Sequence, residues 1–258
     1  MRENRVKRLL REGAVTVGSW VALDGMLPAE IMAACGFDWL VIDMEHGPVS
    51  MGAAQGAMAA IRTTGTVPLV RVGWNRTELI HQALDIGAYG IVVPMVNTVE
   101  EARQAVKDAR YPPLGDRSRG GARAPLAFGA DAVTYGRRAD DELLLVVQIE
   151  TAAAVAAAAE MAALEGIDGL FVGPNDLSSS LGVWPPVWDE QPAALAEAIA
   201  RIPVVARAHG KSAGIMVPNA EIANRCIALG YDFVALTSDA ALLERAARAE
   251  RAAVRNGR

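Results

Sequence analysis

The chain has 258 residues, of which 52% are hydrophobic, and its formal net charge is -5. This length is sufficient for one domain with a large buried core, and we expect a single domain over residues 1–258. Acidic and basic residues are interspersed, with no basic block of the kind that marks a nucleic-acid or membrane surface. We therefore expect small-molecule partners, no nucleic acid and no membrane.

Three further features indicate a cytoplasmic protein. The only cysteines, Cys35 and Cys226, form no CxxC pattern, so neither a disulfide framework nor a thiolate metal site is expected. The N-terminal stretch MRENRVKRLLREG lacks the uninterrupted apolar core of a signal peptide. The most apolar helical stretch, TAAAVAAAAEMAAL, is too short to span a bilayer and is interrupted by Glu160.

Short apolar runs rich in β-forming residues alternate with Ala/Leu/Glu-rich helical segments. The predicted strands lie near residues 15–22, 38–44, 67–72, 90–95, 143–149, 169–173, 213–217 and 232–237. Helices are predicted near residues 28–35, 52–63, 76–87, 98–110, 152–165, 190–208, 219–229 and 240–255. Several begin after a candidate capping residue, namely Asn75, Thr98, Thr151, Asn219 and Ser238. Eight strands, each followed by a helix, predict an α/β chain folded as a (β/α)8 TIM barrel.

One segment breaks this alternation. Residues 111–142 are rich in Gly, Pro and Arg and are too long for an ordinary connection between a helix and a strand. We expect this segment to form a functional or subunit-contacting excursion from the barrel.

Polar residues end most of the predicted strands, and in TIM barrels the carboxyl ends of the strands form the active-site rim. These residues are Asp43, Glu45, His46, Arg71, Gln148, Glu150, Asn175, Asp176, Ser238 and Asp239. Because all strand ends of a parallel barrel point to one rim, we expect these side chains to share one cup.

Glu150 and Asp176 end adjacent strands, where two carboxylates suit a divalent cation with oxygen ligands, such as Mg2+, Mn2+ or Co2+. The alternative is that each carboxylate caps the helix that follows it.

His46 has the position of a general base at the rim, and Asp43 is a candidate to orient its ring; the alternative is a histidine that packs a loop. Arg71 ends a buried strand and suits the binding of a carboxylate or an enolate, or else forms a salt bridge to a carboxylate such as Glu45. For His81 and His209 a structural role is expected.

The three lysines, Lys7, Lys107 and Lys211, all fall away from the predicted carboxyl strand ends. A barrel aldolase that works through a Schiff base needs a lysine in the cup. Carbonyl chemistry in this chain would therefore rely on a metal.

The motifs GSWVALD, DWLVIDMEHGP, VPLVRVG, GAYGIVVPMVNT, QIET and GLFVGPNDLSSSLG together resemble the HpcH/HpaI aldolase family of metal-dependent class II pyruvate aldolases, from about residue 14 to residue 239. The resemblance implies reversible cleavage of 4-hydroxy-2-oxo acids into pyruvate and an aldehyde through an enolate of pyruvate. It also implies a homotrimer or homohexamer in which the C-terminal helix packs on, or is exchanged with, a neighbouring subunit.

The resemblance further implies a role for each site residue. Glu150 and Asp176 are the expected metal ligands, with Gln148 close by. Arg71 is expected to bind the keto oxygen of pyruvate and stabilise the enolate. His46, oriented by Asp43, is the expected acid/base group, acting either directly or through a metal-bound water, with Asp85 supporting the pair across a subunit boundary. Asn175 is expected to touch the pyruvate carboxylate.

The acceptor aldehyde is left open by the sequence. Arg117, Arg119 and Arg123 lie in the 111–142 segment and are candidates to bind a carboxylate or hydroxyls of the acceptor, in their own or in an adjacent subunit, with Arg123 first among them. The alternative is that they are solvated. Two rival functions also remain: a citrate lyase β-like or malyl-CoA-type lyase, and an inactive barrel that serves as an oligomeric binding protein.

Overall fold

In the computed structural model, which describes residues 1–186 and 188–254, eight parallel strands close into one barrel in the order β1 to β8. The strands are β1 Thr16–Val21, β2 Trp39–Asp43, β3 Val67–Arg71, β4 Gly90–Val93, β5 Leu144–Ile149, β6 Gly169–Val172, β7 Ser212–Val217 and β8 Phe233–Ser238. Each end lies within two residues of its predicted position, so the expected TIM barrel is confirmed.

Twelve helices are present among the described residues. They are α1 Arg5–Arg11, α2 Met26–Ala34, α3 Met51–Ile61, α4 Thr77–Asp85, α5 Val99–Ala109, α6 Arg123–Ala127, α7 Ala132–Glu142, α8 Ala152–Ala162, α9 Pro174–Ser180, α10 Ala193–Ala208, α11 Ala220–Leu229 and α12 Asp239–Ala253. Four of them, α1, α6, α7 and α9, were not predicted. Two of these, α6 and α7, lie within the excursion of residues 111–142. The last residue predicted for α12, residue 255, lies outside the described residues.

Four of the five predicted capping residues are N-caps of helices. Thr98, Thr151, Asn219 and Ser238 each accept a hydrogen bond from the backbone N–H three residues further on. The prediction for Asn75 was wrong, because its side-chain amide instead donates to the carbonyl of Glu101.

The barrel interior is filled by aromatic rings that need glycine beside them. The indole of Trp39 stacks on Phe233 with ring centroids 3.9 Å apart. A Cβ at Gly18, on the neighbouring strand, would lie 2.1 Å from that indole, so a larger residue there would displace the ring.

A buried charged network lies at the amino-terminal end of the barrel. The Lys7 ammonium lies 3.1 Å from an Asp168 carboxylate oxygen, and Arg110 lies 2.6 Å from the other. Lys7 also donates to two backbone carbonyls, those of Asp140 and Leu143. A cavity of about 620 Å³ borders this network. Its most buried cations are thus already paired within the fold.

Candidate active site

The predicted site residues meet in a cavity of about 480 Å³ at the carboxyl ends of the strands. Seven of the nine predicted residues line it: Asp43, His46, Arg71, Gln148, Glu150, Asn175 and Asp176. Strands far apart in sequence deliver these side chains to one rim, as expected for a parallel barrel.

Asp43 and Arg71 form a doubly hydrogen-bonded ion pair in the cavity. They are the last residues of β2 and β3 and face each other in the parallel register. Arg71 donates from Nε to Oδ1 of Asp43 at 2.9 Å and from Nη2 to Oδ2 at 2.7 Å. Burial by itself would raise the pKa of Asp43, but the hydrogen bonds and charge of Arg71 hold it below its usual value.

Two further contacts fix the Arg71 guanidinium. Its Nη1 lies 2.9 Å from a carboxylate oxygen of Glu45, and its carbon atom lies 4.5 Å from the ring centroid of Trp20. Burial raises the pKa of Glu45, and the charge of Arg71 opposes this. The guanidinium is therefore held on two sides by carboxylates and on one face by an indole.

The second charged group of the cavity is Glu150, which is almost fully buried. Its Oε1 accepts a hydrogen bond from the backbone N–H of Met95 at 2.6 Å, and its Oε2 accepts one from Nε2 of Gln148 at 3.0 Å. Burial raises the pKa of Glu150 to about 7, and the negative charges of Glu45 and Asp176 add to the effect. A cation at this place would relieve that charge.

Gly173 leaves room for this arrangement. It follows β6, directly beside Glu150, and a Cβ built on it would lie 2.4 Å from Oε2 of Glu150 and 3.3 Å from Nε2 of Gln148. The other side-chain atom of Gln148, Oε1, is buried and has no hydrogen-bond partner in the described part of the chain. A polar ligand of the cavity would satisfy it.

Asp176 and Asn175 enter the cavity from the first turn of α9. Pro174 is the first residue of that helix, which suits its missing N–H and fixed φ. Within the described residues, no group of three or more His, Cys, Asp or Glu side chains is placed to hold a metal. A metal held by Glu150 and Asp176 would take its remaining ligands from other donors.

His46 lies at the mouth of the cavity, with 65% of its side chain exposed. Its Nε2 is 4.0 Å from a carboxylate oxygen of Glu45. The expected orientation of its ring by Asp43 does not occur, because the Asp43 carboxylate binds Arg71 and otherwise accepts hydrogen bonds from the backbone N–H groups of Glu45, at 3.1 Å, and His46, at 3.2 Å. Asp43 therefore positions Arg71 and the loop after β2.

Two predicted residues, Asp85 and Arg123, do not line the cavity. Asp85 ends α4 at the opposite rim and accepts a hydrogen bond from Arg117 at 2.9 Å. Arg123 begins α6 and lies beside Gly87, at that same rim. The expected contact of Arg123 with an acceptor is thus not made within one chain, because the segment after α5 stays at the amino-terminal end of the barrel. Support of His46 by Asp85 of a neighbouring subunit stays a prediction.

Sequence reasoning missed several contributors to the site, namely Trp20, Met95, Gly173 and Trp184. Trp20 and Gly173 stand inside the quoted motifs GSWVALD and GLFVGPNDLSSSLG, and a glycine between a strand end and a proline was a usable signal. Met95 acts through its backbone N–H, and its φ is +53°. Trp184 lies in the segment after α9, where no sequence pattern indicated contact with the cavity.

The sequence model of the HpcH/HpaI aldolase/citrate lyase family matches residues 16–246. The chain belongs to this family. The resemblance carried by the motifs is thereby confirmed, and with it the class of enzyme, a carbon-carbon lyase. A 4-hydroxy-2-oxo-heptane-1,7-dioate aldolase of Escherichia coli (strain ATCC 8739) is 40% identical over 248 residues, which cover 96% of this chain and 93% of that protein.

Solved structures show the same architecture. A HpcH/HpaI aldolase/citrate lyase family protein from Burkholderia cenocepacia J2315 superposes with a TM-score of 0.89 at 32% identity, covering 98% of this chain and all of that one. The HpcH/HpaI aldolase from Desulfitobacterium hafniense DCB-2 gives 0.87 at 26% identity, covering 97% of each. The citrate synthase SbnG gives 0.84 at 29% identity, covering 95% of each. Since one fold carries more than one reaction, the substrates of this chain depend on its own site.

No helix of residues 1–186 and 188–254 combines the length and apolar character needed to cross a membrane.

Proposed function

We propose that this enzyme is a divalent-metal-dependent aldolase that reversibly cleaves 4-hydroxy-2-oxo acids into pyruvate and an aldehyde. One observation carries the proposal: a fixed guanidinium, Arg71, shares a single cavity with the carboxylates of Glu150 and Asp176. This combination provides an anion-stabilising group and oxygen ligands for a metal at one place. The aldolases among the similar proteins support it over a thioester lyase.

The residues present fit a metal ion. Glu150 and Asp176 offer hard oxygen ligands, and Gly173 leaves the approach to Glu150 free of side-chain atoms. Burial raises the pKa of Glu150, and the nearby charges of Glu45 and Asp176 add to this effect, which a cation would oppose. Mg2+, Mn2+ and Co2+ all suit such ligands. When bound, the ion supplies Lewis acidity, which makes the methyl group of pyruvate more acidic.

Arg71 is the side chain that stabilises the negative charge of the enolate. Its guanidinium is held by Asp43, Glu45 and Trp20 before substrate arrives. Donors that are already oriented cost no reorganisation when charge develops on the keto oxygen of pyruvate during proton loss. Asp43 serves this step as a positioning residue.

His46 is the proton-transfer group that we propose for the cavity mouth. Its exposure leaves the ring accessible to water and to the hydroxyl group formed on the acceptor carbon. Its pairing with Asp85 of a neighbouring subunit would fix the ring, since no carboxylate of its own chain hydrogen-bonds its imidazole in the described residues. Gln148 and Asn175 complete the polar wall, where their amides suit the pyruvate carboxylate.

We further propose a homotrimer or homohexamer. In support, Asp239 is the only buried residue of α12 among its residues 239–253, while 61% of Leu243 is exposed on a helix with an apolar stripe. A neighbouring subunit would cover this stripe. Light scattering of the purified protein would give the number of subunits.

Exchange of the pyruvate methyl protons with D2O, followed by NMR, tests the proposed function without an acceptor. Purified enzyme with EDTA should leave the methyl signal intact, and addition of Mg2+, Mn2+ or Co2+ should remove it. The reason is that exchange needs only the enolate half of the reaction. Absence of exchange with every metal would refute the aldolase mechanism.

Two controls make the test specific. Asp176→Ala should abolish exchange in a way that added Mn2+ does not fully restore, whereas unimpaired exchange would contradict its role as a ligand. Borohydride added with pyruvate should trap no covalent adduct, because Lys7 and Lys211 donate to backbone carbonyls at the opposite rim and Lys107 pairs with Asp116. A trapped lysine adduct would overturn the metal mechanism.

A further inference from the structure

Three arginines lie together at the amino-terminal rim of the barrel, around the end of α6. Arg2 precedes α1, Arg62 follows α3 and Arg123 begins α6. Arg2 and Arg62 donate from their Nη1 atoms to one acceptor, the backbone carbonyl of Ala127, at 3.1 Å and 2.9 Å. A Cβ built on Gly87 would lie 2.6 Å from Cβ of Ala127 and 3.7 Å from Nη1 of Arg123, so the third side chain is beside the same residue. We call these three side chains the arginine cluster.

The lack of a carboxylate partner sets this cluster apart from the other arginines inside the fold. In the part of the chain that the structure describes, five arginines are buried or half-buried. Arg71, Arg110 and Arg117 are three of them, and each lies beside a carboxylate oxygen, at 2.7 Å, 2.6 Å and 2.9 Å. The other two, Arg62 and Arg123, form no salt bridge within residues 1–186 and 188–254. The two guanidinium groups without a counter-charge are thus the two that lie together.

The positive charges of the cluster repel one another. Burial lowers the pKa of Arg62, and the charges of Arg123 and Arg2 add to this effect. Two donors, Nε of Arg62 and Nη1 of Arg123, are buried and have no hydrogen-bond partner among the described residues. A buried donor without an acceptor and a charge without a counter-charge both cost free energy. An anion between the guanidinium groups would offset the repulsion and supply the missing acceptors.

The carbonyl of Ala127 does not supply the missing negative charge. The hydroxyl of Tyr89 also donates to it, at 3.0 Å, so three donors share one oxygen that has two lone pairs. The carbonyl lies at the end of α6, a helix of five residues, and the dipole of a helix amounts to about half a unit charge at most at its carboxyl end. The cluster therefore keeps most of its positive charge.

We propose that the arginine cluster is a binding site for a phosphate-type dianion, either free phosphate or the phosphate group of a monoester. Each guanidinium presents paired N–H groups that fit two oxygens of a phosphate. One carboxylate would leave two of the three positive charges uncompensated, whereas a dianion leaves one. Arg2 is exposed and Arg62 is half-buried, so the cluster is open to solvent. None of its members lines the cavity of Glu150 and Asp176, and the site is independent of the proposed aldolase function.

Titration calorimetry of the assembled, EDTA-treated protein with inorganic phosphate tests the site, at about pH 8, where phosphate is a dianion. We expect one phosphate per chain. Arg62→Gln should weaken binding at least about tenfold, because it removes one charged pair of donors. Arg201→Gln, at an exposed position of α10, is the matched control and should bind phosphate as the unmodified protein does. Glycerol 3-phosphate distinguishes the two sources, since tighter binding of the monoester than of inorganic phosphate identifies an organic phosphate as the ligand, and the reverse order identifies the free ion.

Thermal unfolding separates a binding role of Arg62 from a structural one. In phosphate-free buffer Arg62→Gln should unfold at the same temperature as the unmodified protein or at a higher one, because a repulsive charge is removed. Phosphate at about 100 times its Kd should raise the Tm of the unmodified protein by about 5 °C and that of the variant by little. A variant that is less stable in both buffers, with the same response to phosphate as the unmodified protein, would show that Arg62 has only a structural role and would overturn the proposal.

A further variant excludes binding in the metal cavity. Arg71→Lys changes the guanidinium of that cavity and should leave phosphate binding intact. Phosphate binding that is lost in Arg71→Lys but kept in Arg62→Gln would place the anion in the cavity and refute the assignment to the arginine cluster. Absence of phosphate binding by the unmodified protein would refute it as well, and is the result expected if a carboxylate of a neighbouring subunit already neutralises the cluster.

Discussion

Gly173→Ala is the smallest change that should disable the site. Alanine can adopt the backbone conformation of Gly173, with φ -97° and ψ 92°, so the effect comes only from the added methyl group. That carbon would lie 2.4 Å from Oε2 of Glu150 and 3.1 Å from its Cβ. Non-bonded heavy atoms are at their optimum at about 3.5–4.0 Å, so Glu150 must move by about 1 Å. A displacement of that size costs about 100-fold in rate.

The assay is metal-dependent proton exchange into pyruvate, with Mn2+ affinity measured by titration calorimetry. We expect exchange to fall about 100-fold and Mn2+ to bind more weakly. Stability should fall by about 1–3 kcal/mol through overpacking, which leaves the protein folded at 25 °C. Gly52→Ala in α3 is the matched control, because no atom lies within 4 Å of its added Cβ, and it should be neutral or slightly stabilising. Normal exchange and normal Mn2+ affinity in Gly173→Ala would refute the placement of the metal beside Glu150.

Two further predictions concern charged groups. Asp43→Asn should lower the free energy of unfolding by about 2–3 kcal/mol, because Arg71 loses one of its two carboxylate partners, and it should slow proton exchange. Urea denaturation measures the change in stability. The control is Glu100→Gln, at an exposed position, which should cost under about 1 kcal/mol. Burial raises the pKa of Asp232 to about 6, above its unfolded value of about 3.9, so its contribution to stability is lost as pH rises from about 4 through 6. Asp232→Asn can still accept the hydrogen bond from the N–H of Ala213. It should therefore stabilise the folded protein by about 1–2 kcal/mol at pH 7 and by little at pH 4. An equal effect at both pH values would contradict the raised pKa of Asp232 as the cause.

The eight strands were predictable because strands of a parallel barrel are buried on both faces and appear as short apolar runs. The rim residues were predictable for a related reason: where burial stops, polar side chains begin, as at Asp43 and Glu150. The short helices α1 and α9 escaped prediction because segments of seven residues carry too little periodicity.

Side-chain partners could not be predicted in the same way. Asp43 is three residues from His46, yet its carboxylate binds Arg71, because the register of β2 and β3 places those two strand ends side by side. The destination of Arg117 and Arg123 depended on the path of the loop after α5. Neither register nor loop path is encoded in local spacing.

The sequence by itself determined the barrel, the family and the rim at which the functional residues lie, because the pattern of buried residues and the order of the motifs are visible in short stretches of the sequence. Only the tertiary structure decided which of these residues touch. It brought Gly173 against Glu150, placed Trp184 on the cavity and kept the loop arginines of the same chain away from it. The physical reason is that barrel closure brings together strands and loops that are far apart in the sequence. The separation of two residues along the chain does not give the distance between their side chains.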